Sequence, residues 1–100
     1  MNPTKWGNIF ESGVGAYIVG QSFLNRIEVF YWRERNLEVD FILRKKGVLV
    51  AIEVKSNLTN KSAGLTEFQR KFNPHRSIII GDGGMSLQDF FSIPILSLFN

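Results

Sequence analysis

Glu38-Val39-Asp40-Phe41-Ile42-Leu43-Arg44, then Lys45-Lys46-Gly47, then Val48-Leu49-Val50-Ala51-Ile52-Glu53-Val54-Lys55 is the stretch that decides the fold. Side chains alternate across a β-strand, and apolar, β-branched runs on either side of a polar, glycine-containing turn read as a hairpin. The strands fall at 38–44 and 48–55, and folding back across the turn sets Asp40 beside Glu53. Glu53 and Lys55 point the same way, roughly 7 Å apart, while Ile52 and Val54 point the other way. Charges that continue an apolar strand carry a desolvation cost unless they are paired or bind a metal. Two adjacent carboxylates repel unless a cation lies between them, and Mg²⁺ is held by one or two carboxylates together with substrate phosphates. Asp40, Glu53 and Lys55 thus have the spacing expected of a metal-dependent phosphodiesterase site.

Working outward, Glu28-Val29-Phe30-Tyr31-Trp32-Arg33-Glu34 alternates and is rich in aromatic and β-branched residues, which predicts a preceding strand joined through a tight turn at Arg35-Asn36. The three strands form a meander, with Val39, Phe41 and Leu43 expected on one face and Asp40 and Ile42 on the other. Upstream, Trp6, Ile9, Phe10, Val14, Tyr17 and Ile18 recur at helical spacing, predicting a helix over 6–23 with Thr4 as its N-cap. Gly13, Gly15 and Gly20 weaken it, and their expected use is close approach of the backbone to the sheet. Downstream of a polar loop at 56–60, Leu65, Phe68 and Phe72 mark a second amphipathic helix ended by Pro74. Ser77-Ile78-Ile79-Ile80 follows as an apolar strand reached by a crossover, and so parallel to the third strand. Gly81-Asp82-Gly83-Gly84 closes it; a short helix at 87–91 and a last strand at 95–98 complete the order α, β, β, β, α, β, α, β. The class is α/β, a central mixed sheet flanked by helices.

One hundred residues suit a single domain, 1–100, with one core. With 44% hydrophobic and 21% charged residues the chain is globular in class, and no apolar run approaches the length of about 18 residues that a membrane span needs. Cysteine is absent, which excludes disulfides and thiolate metal sites; a metal would be held by oxygen ligands or the single His75, which points to Mg²⁺ or Mn²⁺. Met1-Asn2-Pro3-Thr4-Lys5-Trp6 lacks the pattern of a signal peptide, so the cytoplasm is the expected compartment, with no membrane partner. The net charge of +3 is modest, but Arg33, Arg35, Arg44, Lys45 and Lys46 are concentrated in two strands and a turn. They form a candidate basic patch for phosphates; solvated charge on exposed strands explains them equally well.

The order of elements and the charged positions together resemble the PD-(D/E)XK nuclease superfamily. Three stretches carry the resemblance: Glu11-Ser12-Gly13-Val14-Gly15-Ala16-Tyr17, Tyr31-Trp32-Arg33-Glu34-Arg35-Asn36-Leu37-Glu38-Val39-Asp40-Phe41, and Ala51-Ile52-Glu53-Val54-Lys55-Ser56. Val39 stands where the named motif has proline, a position that varies freely. Within the superfamily the chain is most similar to the domain of unknown function that usually lies C-terminal in AAA-type ATPases of bacteria and archaea. The resemblance implies a restriction-endonuclease-like core, αβββαβ with an added αβ, in a fragment or C-terminal domain of a larger ATPase. No P-loop occurs within these residues, so the ATPase would be another domain of the same full-length chain.

The resemblance further implies Mg²⁺ or Mn²⁺ on Asp40, Glu53 and the backbone carbonyl of Val54, with Glu11 reaching it through water. It makes Glu11, Asp40, Glu53 and Lys55 the catalytic set for hydrolysis of DNA phosphodiesters by a metal-activated water, with Lys55 orienting that water and offsetting charge on the phosphate. Gln69 could match a glutamine of exonuclease-like members, and a homodimer is compatible with members that pair to cut both strands. Other readings stay open. Glu53 and Lys55 could be a same-face ion pair, Glu11 a solvated helix residue, and Arg33 and Arg35 partners of Glu34 and Glu38. His75 is expected at the surface, and Trp6, Trp32, Tyr31 and Phe30 in the core rather than stacked on bases. The alternative for the whole chain is a nuclease-fold module without turnover, binding DNA or a partner or regulating the attached ATPase.

Overall fold

The computed structural model describes residues 13–55, 63–81 and 83–100. Helix α1 spans Val14–Leu24, β1 Glu28–Glu34, β2 Leu37–Lys45, β3 Val48–Lys55, α2 Ala63–Phe72, β4 Arg76–Gly81 and α3 Leu87–Ser92, followed by a 3-10 helix at Ile95–Phe99. The four strands lie in the order β1-β2-β3-β4, antiparallel in the first two pairings and parallel between β3 and β4. The meander, the crossover helix and the mixed sheet are those read from the sequence. The N-terminal part of the helix expected over 6–23, its cap Thr4, Trp6, and the loop at 56–60 lie outside the described residues.

Each face of the sheet buries its own apolar layer. Val14 and Ile18 of α1, with Phe90 of α3 and Leu98, pack on Phe41, Leu43, Val50 and Ile52. Leu65 and Phe68 of α2 pack on Val39, Ile42 and Ala51 of the opposite face. Trp32 joins this second layer edge-on to the Phe68 ring, with centroids 5.4 Å apart. The salt bridge from Lys71 to Glu34 ties the last turn of α2 to the end of β1. Phe30, expected in the core, is 40% exposed, with the Arg44 guanidinium 4.9 Å from its ring centroid.

Strand β2 departs from the simple alternation. Trp32 pairs with Val39 but Phe30 pairs with Ile42, so Asp40 and Phe41 together oppose Tyr31 alone. This is a β-bulge, which bends its strand and re-aims the side chains at the extra residue. As a result Val39 lies with Ile42 in the α2 layer and Phe41 with Leu43 in the α1 layer. The expectation that Val39, Phe41 and Leu43 share one face is therefore corrected: the bulge shifts the alternation by one residue.

The last expected strand is also corrected. Ile95–Phe99 is a 3-10 helix entered through Pro94, whose carbonyl accepts the Ser97 N–H at 3.0 Å. Its period of three turns both Ile95 and Leu98 inward, where both are buried. A strand would have sent them to opposite faces. Close backbone approach is found at Gly64 and is absent at two of the expected glycines, Gly13 and Gly20. A Cβ on Gly20 would meet nothing within 4 Å, whereas one on Gly64 would lie 2.8 Å from the Glu38 nitrogen and closer still to its carbonyl oxygen. Helix α3 is started by Ser86, whose hydroxyl accepts the Asp89 N–H at 3.0 Å. Replacing Ser86 by alanine is expected to cost about 1 kcal/mol in urea denaturation, the usual worth of such a cap.

Candidate active site

The β2–β3 ladder runs from Lys45 and Val48 to Phe41 and Ile52. One step further the register sets Asp40 against Glu53, but the bulge has turned Asp40 out of the ladder. Its carboxylate takes over the role of the missing backbone partner, Oδ2 accepting the Val54 N–H at 2.8 Å. In an extended strand the N–H and C=O of one residue leave toward the same edge. The Val54 carbonyl therefore also projects toward β2, beside Asp40. Asp40, Glu53 and Val54 thus lie at the end of one hairpin, with Asp40 bonded to the Val54 backbone.

Asp40 has no exposed surface, and Ala51, Ile52 and Val50 behind it are equally buried. Glu53 and Lys55 are half-buried. Glu53 shares the face of Ala51, the α2 side, and Lys55 follows it two residues on. Each carboxylate keeps one oxygen shielded from solvent, Oδ1 of Asp40 and Oε1 of Glu53. Two residues before Asp40, Glu38 accepts a hydrogen bond from the Tyr31 hydroxyl. That contact was not legible in the sequence, because it depends on the bulge that sets Tyr31 opposite Asp40 and Phe41. Glu11, the remaining expected member of the set, lies outside the described residues, and among those residues no group of three or more His, Cys, Asp or Glu side chains has the arrangement of a metal site.

The fit to a hard divalent cation rests on the donor chemistry. All the donors are oxygens, as Mg²⁺ and Mn²⁺ prefer. Asp40 is fully buried, and its position in the register faces Glu53 at the end of the same hairpin. The residues fit.

The basic residues do not form one patch. Arg33 and Arg35 sit at the β1–β2 turn, the end of the sheet nearest Asp40, where the Arg33 Nε–H donates to the Arg35 carbonyl at 3.0 Å. Arg44, Lys45 and Lys46 lie at the opposite end of β2, about 13 Å or more along the strand from Asp40 at the usual rise. Arg44 is engaged by Glu28 through two hydrogen bonds of 2.8 and 2.9 Å. The hydrogen bond from Arg44 holds the Glu28 carboxyl below its ordinary range, so the pair is intact near neutral pH and dissolves as pH falls through the lowered Glu28 value. Lys45 donates to the Asn25 carbonyl at 2.8 Å. Gln69 lies on α2, lining a groove beside β4 with Ser77 and Ile79. His75 is exposed, as expected, its Nε2 lying 2.6 Å from the Asn100 carbonyl.

A family model described as "Domain of unknown function (DUF4143)" matches residues 6–98. Comparison with curated proteins finds no match, and comparison with solved structures finds none either. No helix among the described residues is long and apolar enough to cross a membrane.

Proposed function

This chain belongs to the DUF4143 family, and we propose that it is a PD-(D/E)XK-type nuclease domain that hydrolyses DNA phosphodiester bonds with Mg²⁺ or Mn²⁺, attached to an AAA-type ATPase in its full-length chain. The observation that carries this reading is the placement of Asp40. A fully buried aspartate at a bulge, bonded to the backbone of Val54 and set against Glu53 one step beyond the end of the ladder, supports a metal site at this end of the hairpin. Asp40, Glu53 and the Val54 carbonyl would hold the cation, and Glu11 would complete the set. A bound divalent cation supplies Lewis acidity to the phosphate and to the attacking water.

The remaining steps belong to the chain's own groups. Lys55, two residues beyond Glu53 on the same strand face, offers its ammonium to the phosphate as charge gathers there in the transition state, and orients the nucleophile. Half-burial strengthens this electrostatic contribution, since the local dielectric lies below that of water. Arg33 and Arg35, at the same end of the sheet, would meet the flanking phosphates.

A second reading has a specific observation in its favour. The hydrogen bond to Val54 gives Asp40 a structural role, closing the frayed end of the β2–β3 ladder, which a module without turnover would also need. Assays of linear, branched and single-stranded DNA with Mn²⁺ separate the two. Lys55→Met is expected to lower the cleavage rate by about 10²-fold or more, the scale of removing one preorganised charged group, while calorimetric Mn²⁺ binding persists. Absence of cleavage by the unaltered chain on all three substrates, with Mn²⁺ bound, would favour the module without turnover.

A further inference from the structure

The free side of β4 has features that the proposed nuclease site does not use. Among the described residues, strand β4 ends the sheet, and beyond it only Met85 pairs with it. The Met85 N–H donates to the Ile79 carbonyl and its carbonyl accepts from the Gly81 N–H, both at 2.8 Å. Those two bonds fix which backbone groups of β4 face outward, since alternate residues of a strand present N–H and C=O to the same edge. Ser77, two residues before Ile79, faces outward with both groups. Among the described residues, nothing bonds to the Ser77 N–H, the Ser77 carbonyl or the Ile79 N–H.

These groups line a groove of about 620 Å³. Its walls come from both layers of the fold: Leu65, Thr66 and Gln69 of α2 on one side, Met85, Ile93 and Leu98 on the other. A second sheet approaching edge-on would need clearance above and below β4, and the two walls remove it. Among the described residues, Arg76 is the single charged side chain on the lining. Its Nε and Nη2 donate to the Leu98 and Asn100 carbonyls at 3.1 Å each, which leaves Nη1, among the described residues, for an incoming acceptor.

We propose that the β4 edge is a docking slot for one extended peptide segment of a partner protein, which adds as a short fifth strand. Its backbone bonds to Ser77 and to the Ile79 N–H, small apolar side chains alternate between the Leu65 and Leu98 walls, and a carboxylate lies beside Arg76. Open strand edges are templates for such pairing, with backbone bonds giving affinity and alternate side chains giving selectivity. The carboxylate follows from charge complementarity: among the described residues a single cation and no acidic side chain line the slot.

The test titrates this chain into two fluorescein-labelled hexapeptides of alternating valine and threonine, carrying one aspartate at the amino or the carboxyl end, with anisotropy as the readout. One of the two is expected to bind saturably at one per chain, and methylating its alternate backbone nitrogens weakens binding by about tenfold or more. Ser77→Pro, which removes an outward N–H from an edge strand and leaves the bonds to β3 in place, has the same effect. Arg76→Gln lowers affinity for the aspartate peptide and leaves that for its asparagine analogue unchanged. Equal binding of the methylated and unmethylated peptides would reduce the slot to an apolar surface and overturn the proposal. So would the lack of saturable binding of either aspartate peptide at millimolar chain, or dimerisation that the peptides fail to compete. If Ser77→Pro does not fold, the comparison of methylated peptides on the unaltered chain still decides.

Discussion

Asp40→Asn is expected to melt within a few degrees of the unaltered chain in metal-free buffer, yet to lose the stabilisation that Mn²⁺ gives and to lower DNA cleavage by about 10³-fold or more. The amide side chain keeps an oxygen that can accept the Val54 N–H, so the end of the hairpin stays closed. What it loses is the charge that a hard cation requires. A ligand bound only by the folded state stabilises it by about 2.7 kcal/mol at a hundredfold excess over Kd, which thermal melts with and without Mn²⁺ read directly. Asp40→Leu is the contrasting variant. It leaves the Val54 N–H buried without its acceptor, at a cost of about 1–3 kcal/mol, and should lower the melting temperature with or without metal. If Mn²⁺ raises the melting temperature of Asp40→Asn as much as that of the unaltered chain, the cation is not held at Asp40 and the proposed site is wrong.

Gly64→Ala should be strongly damaging, at about 3 kcal/mol, while the same substitution at Gly20 should stabilise by about 0.5–1 kcal/mol. At Gly64 the added carbon meets the backbone of Glu38, which cannot rotate away as a side chain would. The helix must lift from β2, loosening Leu65 and Phe68 from their layer. For a chain of this size, 3 kcal/mol corresponds to a melting-point drop on the order of 15 °C. At Gly20 there is open space, so only the helix-propensity gain remains. Equal melting temperatures for the two variants would show that α2 does not approach β2 in this manner.

The meander and the two amphipathic helices were legible because each rests on a short-range signal: alternation in β1 to β3, the spacing of Leu65, Phe68 and Phe72 in α2, and a glycine-bearing turn at Lys46-Gly47. Asp40, Glu53 and Val54 were legible as a group because hairpin register follows from the turn. The bulge was not. Phe41-Ile42-Leu43 is apolar throughout, so the sequence carries no polar residue to reveal which face each one takes, and the shift appears only in the pairing with β1. The 3-10 segment was read as a strand because Ile95-Leu96-Ser97-Leu98 is too short to separate a period of two from one of three. The basic residues looked like one patch because they are close in sequence; β2 holds Arg35 and Arg44 apart at its two ends.

The bond between Val54 and Asp40 also makes the site observable without any substrate. An amide proton aimed at a carboxylate senses that carboxylate's charge, so the nitrogen-edited NMR resonance of Val54 should move when a cation settles on Asp40, while the amides inside the Lys45–Phe41 ladder hold still. Paramagnetic Mn²⁺ would broaden the same resonance first and its neighbours in order of distance. One backbone nitrogen thus serves as a spectroscopic gauge of occupancy, readable with no DNA present.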